Sequence, residues 1–266
     1  MMISRAMAEG IARCGDVPVV RRSTDYEQPN TDVAIFYGLA VGLGRILQDY
    51  RQSGRKAVYC DLGYWTRRIR SRHDGYHKLA VNDRHPTDYF MRKDHTTERF
   101  ERHGVPILPY RAMGRHILVA GMSAKAALAE QLKPNDWEER TIARLRELTN
   151  RPIIYRPKPN WTGASHISGS TMDRDTPLPV ALRNCHAVVT HHSNVAIDAL
   201  LAGVPVFCEK GAASILSSGD LSRINRPRLM PGRGRWAANL AWCQWNVREI
   251  KEGLAYQYLI DDGLIL

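Results

Sequence analysis

The sequence predicts an α/β protein of the doubly wound kind, built from two Rossmann-like domains. Three observations predict it. Short apolar, β-branched runs recur along the chain, and each ends at a polar turn. The stretch CHAVVTHHSNVAIDALLAGVPVFCEKG, from Cys185 to Gly211, reads as strand, turn, helix, turn, strand. The length of 266 residues also suits one large α/β domain or two of about 100–150 residues each.

In the Cys185–Gly211 stretch, Ala187 to Thr190 is the kind of run buried in a parallel sheet. His191, His192, Ser193 and Asn194 form a polar turn, with Ser193 or Asn194 as N-cap. A helix follows from Val195 to Leu201. Gly203 stands where a helix-ending glycine belongs, Pro205 prevents continuation, and Val204 to Cys208 is the next strand. The N-terminus of a helix placed after a strand end is suited to phosphate.

Earlier in the chain, residues 1 to 30 show no clear periodicity beyond a candidate strand at Val17 to Val20. Asp32 to Gly38 reads as a buried strand, followed by the glycine-rich run GLAVGLG and a helix from Arg45 to Tyr50. Lys56 to Cys60 is another strand, which places Asp61 just past a carboxyl end, where open α/β sheets put their ligands. Asp74 to Phe90 reads as a loop-rich segment. Thr97 to His103 is expected as a helix and Val105 to Leu108 as a strand, with a domain boundary near Pro109 to Gly114.

His116 to Ala120 opens the second half as a strand, with Gly121, Ser123 and Lys125 beyond it. Asn135 caps a helix that runs to about Thr149. Pro152 to Tyr155 is a strand leading into Arg156 and Lys158, and Pro179 to Asn184 is a short helix. A tryptophan-rich amphipathic helix spans Trp236 to Tyr258. The expected division is 1–112, 113–235 and a C-terminal helical piece, 236–266.

Composition narrows the class. The chain carries 38 Lys and Arg against 27 Asp and Glu, a net charge of +11, so its field favours polyanionic partners. Five cysteines without a C-x-x-C pair indicate neither zinc nor a disulfide framework, and suit a cytoplasmic protein. No run approaches the roughly 20 apolar residues of a membrane span, and the N-terminus lacks a signal-peptide core.

The chemistry collects at strand ends. Ser123 and Lys125 follow one strand of the second half, Arg156 and Lys158 another, and Ser193 and Asn194 a third. Parallel strands deliver these groups to one sheet edge, where cations and a helix N-terminus suit a diphosphate. With Ser193 in the turn, Asp198 in the helix and AllAGVPVF from Ala199 to Phe207, the segment resembles the donor-binding motif of GT-B glycosyltransferases. The likeness is to the capsule-polysaccharide-type transferases in particular. GMSAK, YRPKP and THHSNVAIDALLAGVPV fall in that family's order, from about His116 onward.

The resemblance implies a compact GT-B fold, two Rossmann-like domains facing a central cleft, with a C-terminal helix crossing back to the first. It implies that Ser123, Lys125, Arg156 and Lys158 hold the donor phosphates. Ser193 and Asn194 complete the cradle, His192 touches the donor, and Asp198 or Glu209 binds ribose hydroxyls. The co-substrate would be a nucleotide-diphosphate sugar, UDP-sugar foremost, with no further cofactor and no metal. An inverting transfer needs a base, for which Asp61 leads, with Gly63 leaving space beside it and Asp83 and His85 next.

The arginine-laden first half resembles phage DNA-modifying glycosyltransferases that act on hydroxymethylated pyrimidines. Arg67, Arg68, Arg70, Arg72 and Arg84 would then grip double-stranded DNA, beside Tyr64, Trp65, Tyr76 and Tyr89 for stacking. The alternatives are a capsule or lipopolysaccharide transferase using an activated acidic sugar, and a non-catalytic nucleotide- or DNA-binding protein of the same fold.

Overall fold

The structure, a computed structural model, describes residues 2–38, 43–69, 74–87, 92–111, 113–159 and 161–265. The chain divides into two compact units. One comprises Met1–His103 with Ala237–Leu266, and the other Gly104–Trp236.

The first unit opens with helix α1 (Met2–Arg13). Sequence reading passed over it because its apolar face is narrow; Ala6 and Met7 are its buried residues together with Gly10. A Cβ on Gly10 would lie 2.1 Å from the Ile250 carbonyl oxygen, so only glycine permits that contact. Val17, Val19 and Val20 form no strand and are exposed, the proline between them removing a ladder donor.

Strand β1 (Val33–Tyr37), helix α2 (Leu43–Gln52) and strand β2 (Lys56–Leu62) make a parallel crossover, with Val33 opposite Lys56 and Tyr37 opposite Cys60. Helix α2 buries Leu43, Ile46 and Tyr50, spaced for one face. Of the glycine-rich run, residues 39–42 lie outside the described residues.

Within the segment read as loop, Tyr76–Val81 is strand β3, antiparallel to β2. Its sequence, YHKLAV, places His77 and Lys78 among buried positions, and those polar residues masked the strand. The first sheet is therefore mixed, and only its β1–α2–β2 portion has the expected parallel winding. Helix α3 is shorter than expected, Glu98–Glu101.

In the second unit, β4 (His116–Ala120), β5 (Ile153–Arg156), β6 (Thr171–Met172), β7 (Cys185–Thr190) and β8 (Val206–Cys208) form one parallel sheet in the order β6-β5-β4-β7-β8. Its crossovers include α4 (Ala124–Ala129), α5 (Asp136–Leu148), α6 (Leu178–Ala181) and α7 (Val195–Leu201). All six residues of β7 are buried, as expected of a strand covered on both faces. Ile117, Val119, Ile142, Leu145, Ile153, Tyr155, Val189 and Phe207 belong to one core around this sheet.

Val105 to Leu108 is not a strand, since Pro106 and Pro109 lack the donors a ladder needs. Instead the Leu108 N–H donates to Leu201 O and the Arg111 N–H to Gly203 O. Asn135 stands at the α5 N-cap in the left-handed conformation, and its side chain makes no cap bond.

The expected long C-terminal helix is broken. Helix α8 (Arg233–Trp242) is followed by strand β9 (Gln244–Asn246), helix α9 (Val247–Lys251) and helix α10 (Leu254–Asp261). Strand β9 pairs antiparallel with β3, Lys78 opposite Gln244. Asn246 then closes a capping box with Glu249, a local signal that wins over helical continuity. The division between the units falls at Trp236, inside α8, rather than before it, and its other end falls at His103 rather than at Pro109 to Gly114.

Gly203 follows α7 in the left-handed region, φ +74, and a Cβ there would stand 2.0 Å from the Pro109 carbonyl oxygen. Gly203→Ala should lower stability by more than about 1 kcal/mol. Thermal and urea unfolding would check this, and a variant as stable as the parent would contradict it.

Candidate functional site

Chemistry-bearing side chains gather in one place within each unit. In the second unit it is the carboxyl edge of the parallel sheet, whose loops are stitched to one another. The Gly121 N–H donates to Arg156 O at 3.0 Å, joining the loops after β4 and β5. Thr190 Oγ1 donates to Ala120 O at 2.8 Å, and the Lys210 N–H donates to His191 O at 2.7 Å. The loops after β4, β5, β7 and β8 thus form one connected rim.

On this rim Ser123 caps α4, accepting from the Ala126 N–H, while Lys125 and Lys158 are exposed. Ser193 receives the Val195 N–H on its hydroxyl and donates its own N–H to Thr190 Oγ1. Asn194 takes the N-cap position of α7 without a side-chain cap bond, and Asp198 is half-buried on that helix. His191 is buried and His192 half-buried, their Nδ1 atoms 2.7 Å apart.

Two expected donor residues have partners of their own. Arg156 donates to Thr176 O at 2.7 Å and lies 3.7 Å from Asp173. Desolvation alone would raise the Asp173 carboxyl. Hydrogen bonds from Thr176 and Asp175, with the Arg156 charge, outweigh it and hold the group below its ordinary value. Glu209 accepts from Trp137 Nε1 at 2.6 Å.

Sequence reading missed the residues that support this rim from below. Glu138, 1% exposed, accepts the Met122 N–H at 2.6 Å through Oε1, and burial raises its carboxyl. Its Oε2 and the Tyr155 hydroxyl are buried with no hydrogen-bond partner among the described residues. Glu130 binds Lys210 at 2.6 Å. Glu138 lies in the first turn of the helix expected from Asn135, and a carboxylate there carries no sign that it faces a loop after another strand.

In the first unit two of the three candidate catalytic residues, Asp61 and His85, lie beside a lysine that the sequence did not single out. Pairing with β3 extends β2 through Leu62, so Asp61 sits inside the ladder, opposite Lys78, rather than past a strand end. Asp61 accepts from the Tyr59 hydroxyl at 2.7 Å. Lys78 Nζ lies 3.4 Å from His85 Nδ1, which is also 3.3 Å from the Tyr64 hydroxyl. The ammonium stands over the Tyr59 and Tyr64 rings, 5.3 and 5.6 Å from their centroids. Asp83 and His85 line a pocket with Arg92, Trp242 and Tyr258. Gly63 leaves no space for an acceptor: a Cβ there would meet Tyr76 O at 2.6 Å and Gln244 Oε1 at 2.8 Å.

The basic and aromatic surface expected for DNA is reduced. Tyr64 and Trp65 are buried, so neither presents a face for stacking. Arg67 donates to Gly63 O at 2.7 Å, Arg84 is half-buried and Arg68 is exposed. Arg70, Arg72 and Tyr89 lie outside the described residues.

No family's sequence profile and no curated protein sequence matches this chain. Solved structures do. The β-Kdo 2,4 transferase of KpsC from Thermosulfurimonas dismutans matches with a TM-score of 0.55 at 10% identity, over 90% of this chain and 87% of its own. The β-Kdo 2,7 transferase of the same KpsC gives a TM-score of 0.48 at 14% identity, over 85% and 99%. The glycosyltransferase SnogD from Streptomyces nogalater gives 0.26 at 19% identity, over 60% and 47%. The first match decides the fold. This chain has a glycosyltransferase fold. None of the three is described as a DNA-modifying enzyme.

Burial lowers Lys78 from 10.5 to about 8, against the Asp61 charge, with Arg67 and Arg84 adding to the shift. The unfolded chain then binds more protons than the folded one between pH 8 and 10.5, so this position's contribution to stability rises with pH across that window. Relative to Lys78→Met, the parent should gain stability from pH 8 to 10.5, as measured by urea unfolding at each pH. A pH-independent difference between the two would contradict the burial of the ammonium.

Proposed function

We propose that this chain is a glycosyltransferase that takes a sugar from a nucleotide-activated donor and passes it to a hydroxyl of a carbohydrate. The observation that carries this reading is the stitched rim of the second unit. It presents Ser123, Lys125, Lys158, His192 and Ser193 on loops from adjacent parallel strands. Rigid loops bearing cations and hydroxyls suit a nucleotide phosphate, because the groups are oriented before the ligand arrives. Arg156 serves this rim by holding the 173–176 turn, and the exposed lysines supply the free charge.

The acceptor and the sugar follow from charge and from the fold match. A net charge of +11 favours an anionic partner. Likeness to a β-Kdo transferase supports an activated acidic sugar and a polysaccharide acceptor over modified DNA. The first unit takes the acceptor in this reading, with Asp61 as base and Lys78 and His85 setting its electrostatics.

Release of free nucleotide is the direct test. The chain is incubated with a panel of nucleoside monophosphate and diphosphate sugars, with and without an acidic oligosaccharide or hydroxymethylated duplex DNA. One donor should turn over faster with the oligosaccharide. Faster turnover with DNA would move the acceptor to nucleic acid, and no turnover of any donor would overturn the enzyme reading.

Two substitutions sharpen it. Lys158→Ala should weaken nucleotide binding by about 1.5–3 kcal/mol while leaving the melting temperature unchanged, as read by calorimetry. Asp61→Asn should cut kcat by roughly 10²–10⁴ with donor affinity retained. Near-parental turnover in that variant would place the base elsewhere, with His85 the next residue to test.

A further inference from the structure

On the rim of the second unit, His192, already placed beside the donor, stands with Glu130 and His191 in a group that nucleotide binding alone does not explain. Glu130 follows α4, and its side chain is 5% exposed. His191 and His192 follow β7. One ligand atom from each of these three residues lies within 4.8 Å of the other two. The two imidazoles face each other through Nδ1 atoms only 2.7 Å apart. A single hydrogen between two neutral rings accounts for that approach, and one cation can take that hydrogen's place between the two Nδ1 atoms.

The surroundings favour the cation. Nε2 of His191 lies 3.7 Å from Glu209 Oε2, and Glu209 is fixed by Trp137 Nε1 at 2.6 Å. A carboxylate behind the far nitrogen of a histidine holds the proton on that nitrogen and leaves the other free to ligate, which is the usual outer shell of a metal-binding histidine. The Trp137 ring also meets His191 edge-on, with centroids 6.0 Å apart, and limits its rotation. A positive group already sits at the carboxylate: Lys210 Nζ is 2.6 Å from Glu130 Oε2, on a side chain that is 62% exposed and able to swing away.

We propose that Glu130, His191 and His192 bind one divalent transition-metal ion of the zinc class. Two imidazoles and one carboxylate suit zinc or cobalt, with a fourth position open to solvent or ligand. A hard cation such as magnesium or calcium requires more oxygen ligands than this group offers. When the ion enters, the hydrogen on His192 Nδ1 moves to that ring's Nε2, while His191 keeps its Nε2–H directed at Glu209. Lys210 leaves Glu130 as an ammonium, and no group is oxidised or reduced. The site shares His192 with the donor rim, and its test is metal binding rather than turnover.

The test uses the full chain without an added histidine tag, stripped of metal by chelator and dialysed. Cobalt(II) titration followed by visible absorption, with zinc competition, reads binding without any assay of turnover. One equivalent should bind with the intense bands of a low-coordinate cobalt site, and zinc should displace it while millimolar magnesium does not. His192→Ala and Glu130→Gln should each weaken binding by at least about tenfold. Lys210→Met should tighten it, since the competing ammonium is gone. His192 is half-buried, so its variant should melt with the parent and keep the comparison valid even if Glu130→Gln unfolds. Absence of one-to-one binding, affinity unchanged in His192→Ala, or equal competition by magnesium would each overturn the proposal.

Discussion

The first unit depends on a buried ion pair that joins distant parts of the chain. Arg99 donates two hydrogen bonds to Glu249, at 3.0 and 3.1 Å, and a third to Gln244 O at 2.9 Å. Its guanidinium lies 3.9 Å from the centroid of the Trp245 ring. With both side chains nearly enclosed, removal of one partner would strand a charge, at a cost on the order of 3–5 kcal/mol. The planar fork of arginine makes the contact directional, so it also fixes the register in which the C-terminal segment returns. Strand β9 can then pair with β3, and Gln244 can accept the Tyr64 N–H at 2.7 Å while meeting His103 at 2.8 Å. The burial of Lys78 follows from that pairing.

The two units solve different electrostatic problems. The second arranges polar groups on loops whose backbones are tied together, so little reorganisation remains for a ligand to induce. The first encloses a lysine, a histidine and a carboxylate among aromatic rings. Burial among those rings lowers the lysine's hold on its proton.

Much of the second unit was legible in the sequence, because a parallel sheet writes its strands as unbroken apolar runs. HILVA and CHAVVT announced β4 and β7, and Gly203 announced the end of α7. Ser123, Lys125, Arg156, Lys158, Ser193 and Asn194 were expected on one edge from topology alone. Partners were not legible: nothing in YRPKP says that Arg156 turns toward Asp173, and nothing in Glu130 points to histidines after another strand. The first unit was harder to read for a related reason. YHKLAV looks like loop because His77 and Lys78 occupy buried positions, and their burial depends on residues contributed from beyond Trp236. WCQWN looks helical until its strand partner is known.

The division of the chain also sets an order for its synthesis. Residues 104–236 contain every strand of the parallel sheet, so that unit is complete before the residues that finish the other one are made. Until Gln244–Asn246 emerges, β3 presents an unpaired edge while a whole neighbouring unit folds behind it. An open edge held for that interval is a site for mispairing between nascent chains.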